Sequence, residues 1–296
     1  MVPILSVDSL SKRYKNVSAL NKLSFNVNKG EVLGILGPNG SGKTTLLSII
    51  LGVRKACSGT FNWFGENYTH NINKRIGALL EVPYFYPYLS VKRNMEITAI
   101  NRNCTTDEIY QAIEQVELTE KLNHPVYTLS LGMKQRLAIA QTLVGNPPVL
   151  VFDEPTNGLD PEGIAFVRRL IRQQHENGKT IIIASHNLDE IQRVCTHVII
   201  LKNGQSIANG KVDELLKLKQ IVQVETDKVE GLKAIVANNP NFKIIDSYSE
   251  GITISVADNE AIKLLNEQLT DKNIVPKLFE IRQPSLEEIF LDQVAK

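Results

Sequence analysis

Two rhythms of apolar positions run along the chain. The short runs EVLGILG (31–37), PVLVFDE (148–154), KTIIIASH (179–186) and HVIILKNG (197–204) are rich in β-branched residues and present no polar face. Runs of that length predict strands buried on both faces. Between them apolar residues recur at helical spacing. Met133, Leu137, Ala140 and Val144 form one stripe, closed by Gly145 with Pro147 just beyond. Residues 1–30 alternate short β-like runs with turn residues, and a helix is expected over 44–51. Residues 84–130 are mostly helical in pattern, with TTDE (105–108) reading as a capping box. Buried strands alternating with helices predict an α/β fold around a largely parallel sheet.

The rhythm changes after VDELLK (212–217). QIVQVET, VEGLKAIVANN, FKIIDSY, GITISVA, NEAIKLLNEQLTDKN and VPKLFEIR read as β, α, β, β, α and β, followed by a last helix, SLEEIFLDQVA. That order belongs to a small ferredoxin-like unit. Ile252, Ile254 and Val256 alternate with polar residues, as in a half-buried strand. The boundary is placed near residue 219, giving a domain over 1–218 and a C-terminal accessory α+β domain over 219–296.

Composition narrows the class without naming it. The chain is 43% hydrophobic and 22% charged, as in an ordinary globular protein. A net charge of +1 and the lack of a polybasic tail give no reason to expect a nucleic-acid partner. Cys57, Cys104 and Cys195 are far apart, form no metal or redox spacing, and fit a reducing compartment. No basic stretch followed by an apolar core opens the sequence, so no secretion signal is expected. No apolar run approaches the ~18 residues of a membrane helix, so any membrane task is expected to run through a partner.

The chemistry concentrates at strand ends. GPNGSGKT (37–44) matches G-x-x-x-x-G-K-[ST] between a strand and a helix, the context of a phosphate-binding loop. Its glycines let the backbone turn tightly and aim N–H groups inward, and the helix N-terminus adds partial positive charge. Lys43 is expected to reach the β- and γ-phosphates, and the Thr44 hydroxyl to ligate Mg²⁺. VLVFDE (149–154) is an apolar strand ending in two acids, which need something positive there. Asp153 is the candidate Mg²⁺ partner, and Glu154 can position an attacking water or accept its proton. Ser130, in LSLGMKQR (129–136), reads as an N-cap or as part of a second anion site at a helix N-terminus. Asp160 before Pro161 reads as an N-cap with proline at the first helical position.

Together and in this order, the motifs resemble the nucleotide-binding subunit of an ATP-binding cassette (ABC) transporter over residues 1–218. They are Walker A at 37–44, a signature LSLGM at 129–133 where the family typically reads L-S-G-G-Q, Walker B at 149–154, a D-loop at 157–160 and a switch residue, His186. The resemblance implies a P-loop NTPase fold: a RecA-like core, an antiparallel β subdomain and a helical subdomain at about 84–132. It also implies ATP and Mg²⁺ as ligands. Tyr14 would stack on adenine, and Gly37, Pro38, Asn39, Gly40, Ser41, Gly42, Lys43, Thr44 and Thr45 would wrap the phosphates. Glu154 would be the catalytic base and His186 would contact the γ-phosphate. Ser130 and Gly132 would contact the γ-phosphate held by the other subunit, and Asp160 in the D-loop counts among the nucleotide-binding residues. Leu131 and Met133 depart from the usual signature. Since backbone N–H groups and Ser130 supply that anion site, both changes are expected to be tolerated. The implied partners are a homodimeric or paired ATPase subunit and a separately encoded transmembrane permease, with the chain on the cytoplasmic face of the membrane. The rival class is a soluble ABC ATPase of translation or repair type. A single cassette and the absence of a heptad run speak against it.

GALLEVPYFYPYLS (77–90) places Glu81 where the family's Q-loop usually carries Gln. A Glu there could join the Mg²⁺ site or the catalytic group, or be a solvated strand end. The aromatics after it either line a groove for the membrane partner or fill the subdomain core. A Glu followed by PYFYPYLS is similar to bacitracin-type and lantibiotic-immunity exporter ATPases, and QPSLEEIFL (283–291) is similar to the ending of ABC-2 exporter ATPases.

Overall fold

The chain begins with a long hairpin, β1 (Leu5–Tyr14) and β2 (Val17–Val27). β3 (Val32–Leu36) runs through the glycine loop into α1 (Lys43–Ile50). β4 (Ser58–Trp63) and β5 (Glu66–Asn67) rejoin the hairpin in an antiparallel sheet ordered β2-β1-β4-β5. The β-like runs of residues 1–30 thus become two long strands of this sheet. Trp63, fully buried, donates from Nε1 to Ile50 O at 2.6 Å and ties the sheet to the end of α1. This structure is a computed structural model, and it describes residues 2–80, 84–217, 220–239, 241–256, 258–286 and 288–289.

The uninterrupted apolar runs form a second, mainly parallel sheet. β6 (Ile76–Leu79) leads into α2 (Val91–Arg102), α3 (Thr106–Gln115) and α4 (Leu131–Leu143). β7 (Val149–Asp153), α5 (Pro161–Glu176), β8 (Thr180–Ser185), α6 (Leu188–Val194), β9 (His197–Lys202) and β10 (Gln205–Lys211) follow. The sheet order is β10-β9-β3-β8-β7-β6, with parallel pairing from β9 through to β6. β3, β7 and β8 are buried at every position, as their lack of a polar face requires. α1 packs against β7 and β8, and α6 against β3 and β8.

The helical segment is pinned to this sheet by one arginine. Arg102, at the end of α2, donates to Ile76 O at 2.9 Å and to Val144 O at 3.1 Å. Burial lowers its pKa from the usual guanidinium value, and the two carbonyls satisfy the charge. The expected capping box forms at α3: Thr105 N donates to Glu108 Oε2 at 2.7 Å, and Glu108 N donates to Thr105 Oγ1.

The chain divides into two compact units, 1–209 and 210–296. The second opens on α7 (Val212–Lys217). It continues as β11 (Gln220–Glu225), α8 (Val229–Ala237), β12 (Phe242–Tyr248), β13 (Gly251–Val256), α9 (Asn259–Asp271) and β14 (Leu278–Arg282). The antiparallel order β12-β13-β11-β14 is the ferredoxin-like arrangement expected from the βαββαβ pattern. Leu232, Ile235, Leu265 and Leu269 of the helices share a core with Val222, Val224, Ile252 and Ile254. β13 differs from the half-buried strand expected, because all six of its positions are buried. It lies between β12 and β11, where Thr253 and Ser255 are shielded along with the apolar residues. No helix among the described residues is long and apolar enough to cross a membrane.

Gly77 sets how closely β6 approaches α4. A Cβ there would lie 2.1 Å from Thr142 O, a backbone atom that cannot move aside cheaply. Gly77→Ala is expected to destabilise the protein by about 1–3 kcal/mol through overpacking. Chemical denaturation checks this, and an unchanged midpoint would contradict it.

Candidate functional site

Three neighbouring parallel strands, β3, β8 and β7, deliver chemically active residues at their carboxyl ends, where open α/β sheets bind ligands. β3 delivers the glycine loop, β7 delivers Asp153 and Glu154, and β8 delivers Ser185 and His186. Gly42 caps α1 with φ 109, and a Cβ on it would lie 2.4 Å from Ala19 O, so only glycine follows this path. α1 has no side-chain cap and no acid in its first turn, which leaves the first-turn N–H groups for another acceptor. Thr44 and Thr45 are half-buried in that turn. Pro38, Asn39 and Gly40 form the exposed crest of the loop. Ser41 N donates to Pro38 O at 3.1 Å, while the buried Ser41 Oγ has no hydrogen-bond partner among the described residues.

Lys43 is only 6% exposed. Its ammonium donates to Gly37 O at 2.7 Å and Pro38 O at 3.3 Å, and lies 3.7 Å from Glu154 Oε1. The other carboxylate oxygen of Glu154 is 2.9 Å from His186 Nδ1. Lys43, Glu154 and His186 therefore form one connected group beyond the three strands, with Glu154 in contact with both of the others. Glu154 holds φ 49, a left-handed conformation costly for a residue with a side chain, and its N–H donates to Ala184 O at 2.9 Å. Asp153, the last residue of β7, is 2% exposed beside this group.

Other sequence candidates make separate contacts. Tyr14 ends β1, half-buried, with Lys12 Nζ 5.2 Å and Arg54 Cζ 5.7 Å from its ring centroid. Ser130 caps α4, accepting from Met133 N at 3.2 Å, and is itself exposed. Gly132 is half-buried, with open space where a Cβ would be. Asp160 caps α5, its Oδ1 accepting from Gly163 N at 2.9 Å, with Pro161 in the first turn. Among the described residues, the polar contacts of Lys43, Glu154 and His186 include neither Ser130, Gly132 nor Asp160. Glu81 lies outside the described residues.

The aromatics after Glu81 do not fill the subdomain core. Tyr84, Tyr86 and Tyr88 are 95%, 61% and 85% exposed, and only Phe85 is half-buried. Tyr88 meets the exposed Tyr127, ring centroids 6.0 Å apart. Buried Asn94 holds this loop through Tyr86 N at 2.9 Å, Tyr86 O at 3.1 Å and Ser90 O at 3.0 Å. Sequence reasoning passed over Asn94, Gln135 and Thr156, because a lone polar residue in a helix or loop carries no pattern.

Comparison with known proteins agrees with this geometry. Residues 20–157 match the family described as ABC transporter, and residues 210–294 match the ATP-binding protein DrrA1-3-like C-terminal domain. The chain is 36% identical to a bacitracin transport ATP-binding protein of Bacillus licheniformis, over 98% of this chain and 97% of that one. It is 32% identical to a Nod factor export ATP-binding protein of Ralstonia nicotianae, over 98% and 93%. A dimeric, post-hydrolysis structure of the ATP-binding cassette MJ0796 with ADP and Pi superposes with TM-score 0.65 at 27% identity, over 70% of this chain and 98% of that one. The chain belongs to the ABC transporter family, as one of its ATP-binding, ATP-hydrolysing subunits.

Proposed function

We propose that the chain powers export by a separate membrane permease, working as a pair of copies on the cytoplasmic face of the membrane. The carrying observation is the Lys43–Glu154–His186 group beside an uncapped helix N-terminus. The relatives named for bacitracin transport and Nod factor export support an amphiphilic cargo, with a peptide antibiotic as the first candidate.

The residues fit a nucleoside triphosphate. The first-turn N–H groups of α1 and the unpartnered Ser41 Oγ offer donors to phosphate oxygens. Lys43 exchanges the carbonyls of Gly37 and Pro38 for β- and γ-phosphate oxygens. Tyr14 stacks on the base. The Thr44 hydroxyl and the Asp153 carboxylate are hard oxygen donors suited to Mg²⁺, and Glu81 is a further candidate for it. That metal would neutralise charge developing on the transferred phosphoryl group. Glu154 positions the attacking water and takes its proton, while His186 orients the carboxylate and reaches the γ-phosphate. Ser130 and Gly132 bind the γ-phosphate held by the paired copy, with Asp160 shaping the loop between the two chains. ATP thus supplies contacts to both copies, and hydrolysis removes them.

Glu154→Gln is expected to bind ATP normally and to lose turnover by about 10²–10⁴-fold. Steady-state hydrolysis alongside nucleotide binding tests this, and wild-type turnover would sink the assignment of the base. The exposed tyrosines are the proposed permease contact. Replacing Tyr86, Tyr88 and Tyr127 together by Ser should abolish co-purification with the permease while the isolated chain still hydrolyses ATP. Intact co-purification would contradict that placement.

A further inference from the structure

The two residues that follow Glu154 are each held by a different helix. Gln135, early in α4, donates from Nε2 to Pro155 O at 2.7 Å. Thr156 donates from Oγ1 to Glu190 Oε2 at 2.5 Å. Glu190 sits in the first turn of α6, where its own N–H donates to Asn187 Oδ1 at 3.2 Å. α6 begins two residues after His186. The loop therefore hangs between the helix that Ser130 caps and the helix that follows His186.

Two observations make these bonds more than decoration. Glu154 is a left-handed non-glycine residue, and such a conformation persists only where its surroundings over-determine it. The loop after it borders a small open cleft lined by Pro155, Thr156, Ile164, Arg168, Glu190 and Ile191, so packing does not enclose it on that side. The hydrogen bonds to Pro155 and Thr156 add to those of Glu154 itself, whose N–H donates to Ala184 O and whose carboxylate meets His186.

We propose that Gln135 and Glu190 are positioning residues. Through Pro155 and Thr156 they strap the backbone after Glu154 and set where its carboxylate points. This rests on the reading of Glu154 as the residue that acts on water.

The test uses the full chain with Gln135→Leu, Thr156→Val, Thr156→Ser and the pair Gln135→Leu/Thr156→Val, with Glu154→Gln as control. Gln135→Leu and Thr156→Val are expected to lower kcat about ten- to a hundredfold, while KM and ATP affinity stay within about twofold. Thr156→Ser, which keeps the hydroxyl, should recover most of kcat. The double variant should lose little more than the worse single one, as expected of residues acting as one unit. Wild-type kcat in both single variants, with Glu154→Gln inactive, would overturn the strap alone. So would equal losses of kcat and ATP affinity with Thr156→Ser no better than Thr156→Val, which is the mark of general unfolding. Wild-type turnover in Glu154→Gln would overturn the base assignment and the strap together.

Discussion

The ammonium of a lysine only 6% exposed must be paid for in hydrogen bonds and nearby negative charge, and the site is organised around that demand. Lys43 meets it with two backbone carbonyls of its own loop and with the carboxylate of Glu154, four strands later in the chain but next to it in space. The carbonyls are good partners but carry no net charge. A triphosphate is therefore the stronger acceptor, and taking it requires only that the ammonium exchange partners. The same carboxylate meets His186, which joins the phosphate loop to the end of β8 through Glu154. Parallel pairing of β3, β8 and β7 makes this possible, since it puts their three carboxyl ends at the same end of the sheet.

The parts of the site that declare themselves in sequence are those where backbone geometry dictates residue type. Gly42 is legible because no side chain fits against Ala19 O at φ 109. Asp153 and Glu154 are legible because an apolar strand has no other use for two acids at its end. Asp160 and Ser130 are legible as caps, and both form the caps expected. Gln135 and Thr156 were not legible: each makes one tertiary hydrogen bond, to a partner 20 and 34 residues away, and leaves no periodic trace. The half-buried pattern of β13 misled for a related reason. Alternation reports side-chain polarity, whereas burial depends on a strand's place in the sheet. The aromatic run 84–88 was legible only as a choice between core and surface, and exposure of its three tyrosines decides for surface.

On the reading proposed above, one chain holds only part of the site. Lys43, Glu154 and His186 come together, whereas Ser130, which caps α4, is exposed and makes no polar contact with them among the described residues. On that reading, the capped end of α4 serves the nucleotide of a second copy, and neither copy closes a full site alone. The strap from α4 to the residues after Glu154 then joins two half-sites within each chain.

A mixing experiment tests this sharing most directly. Lys43→Ala should inactivate a copy's own phosphate loop and leave its signature intact, and Ser130→Arg should do the reverse. Each variant alone is expected to be inactive. Mixed, they should regain ATP hydrolysis, because half of the sites in a mixed pair combine the intact loop of one copy with the intact signature of the other. A mixture as inactive as its two components would contradict the shared site.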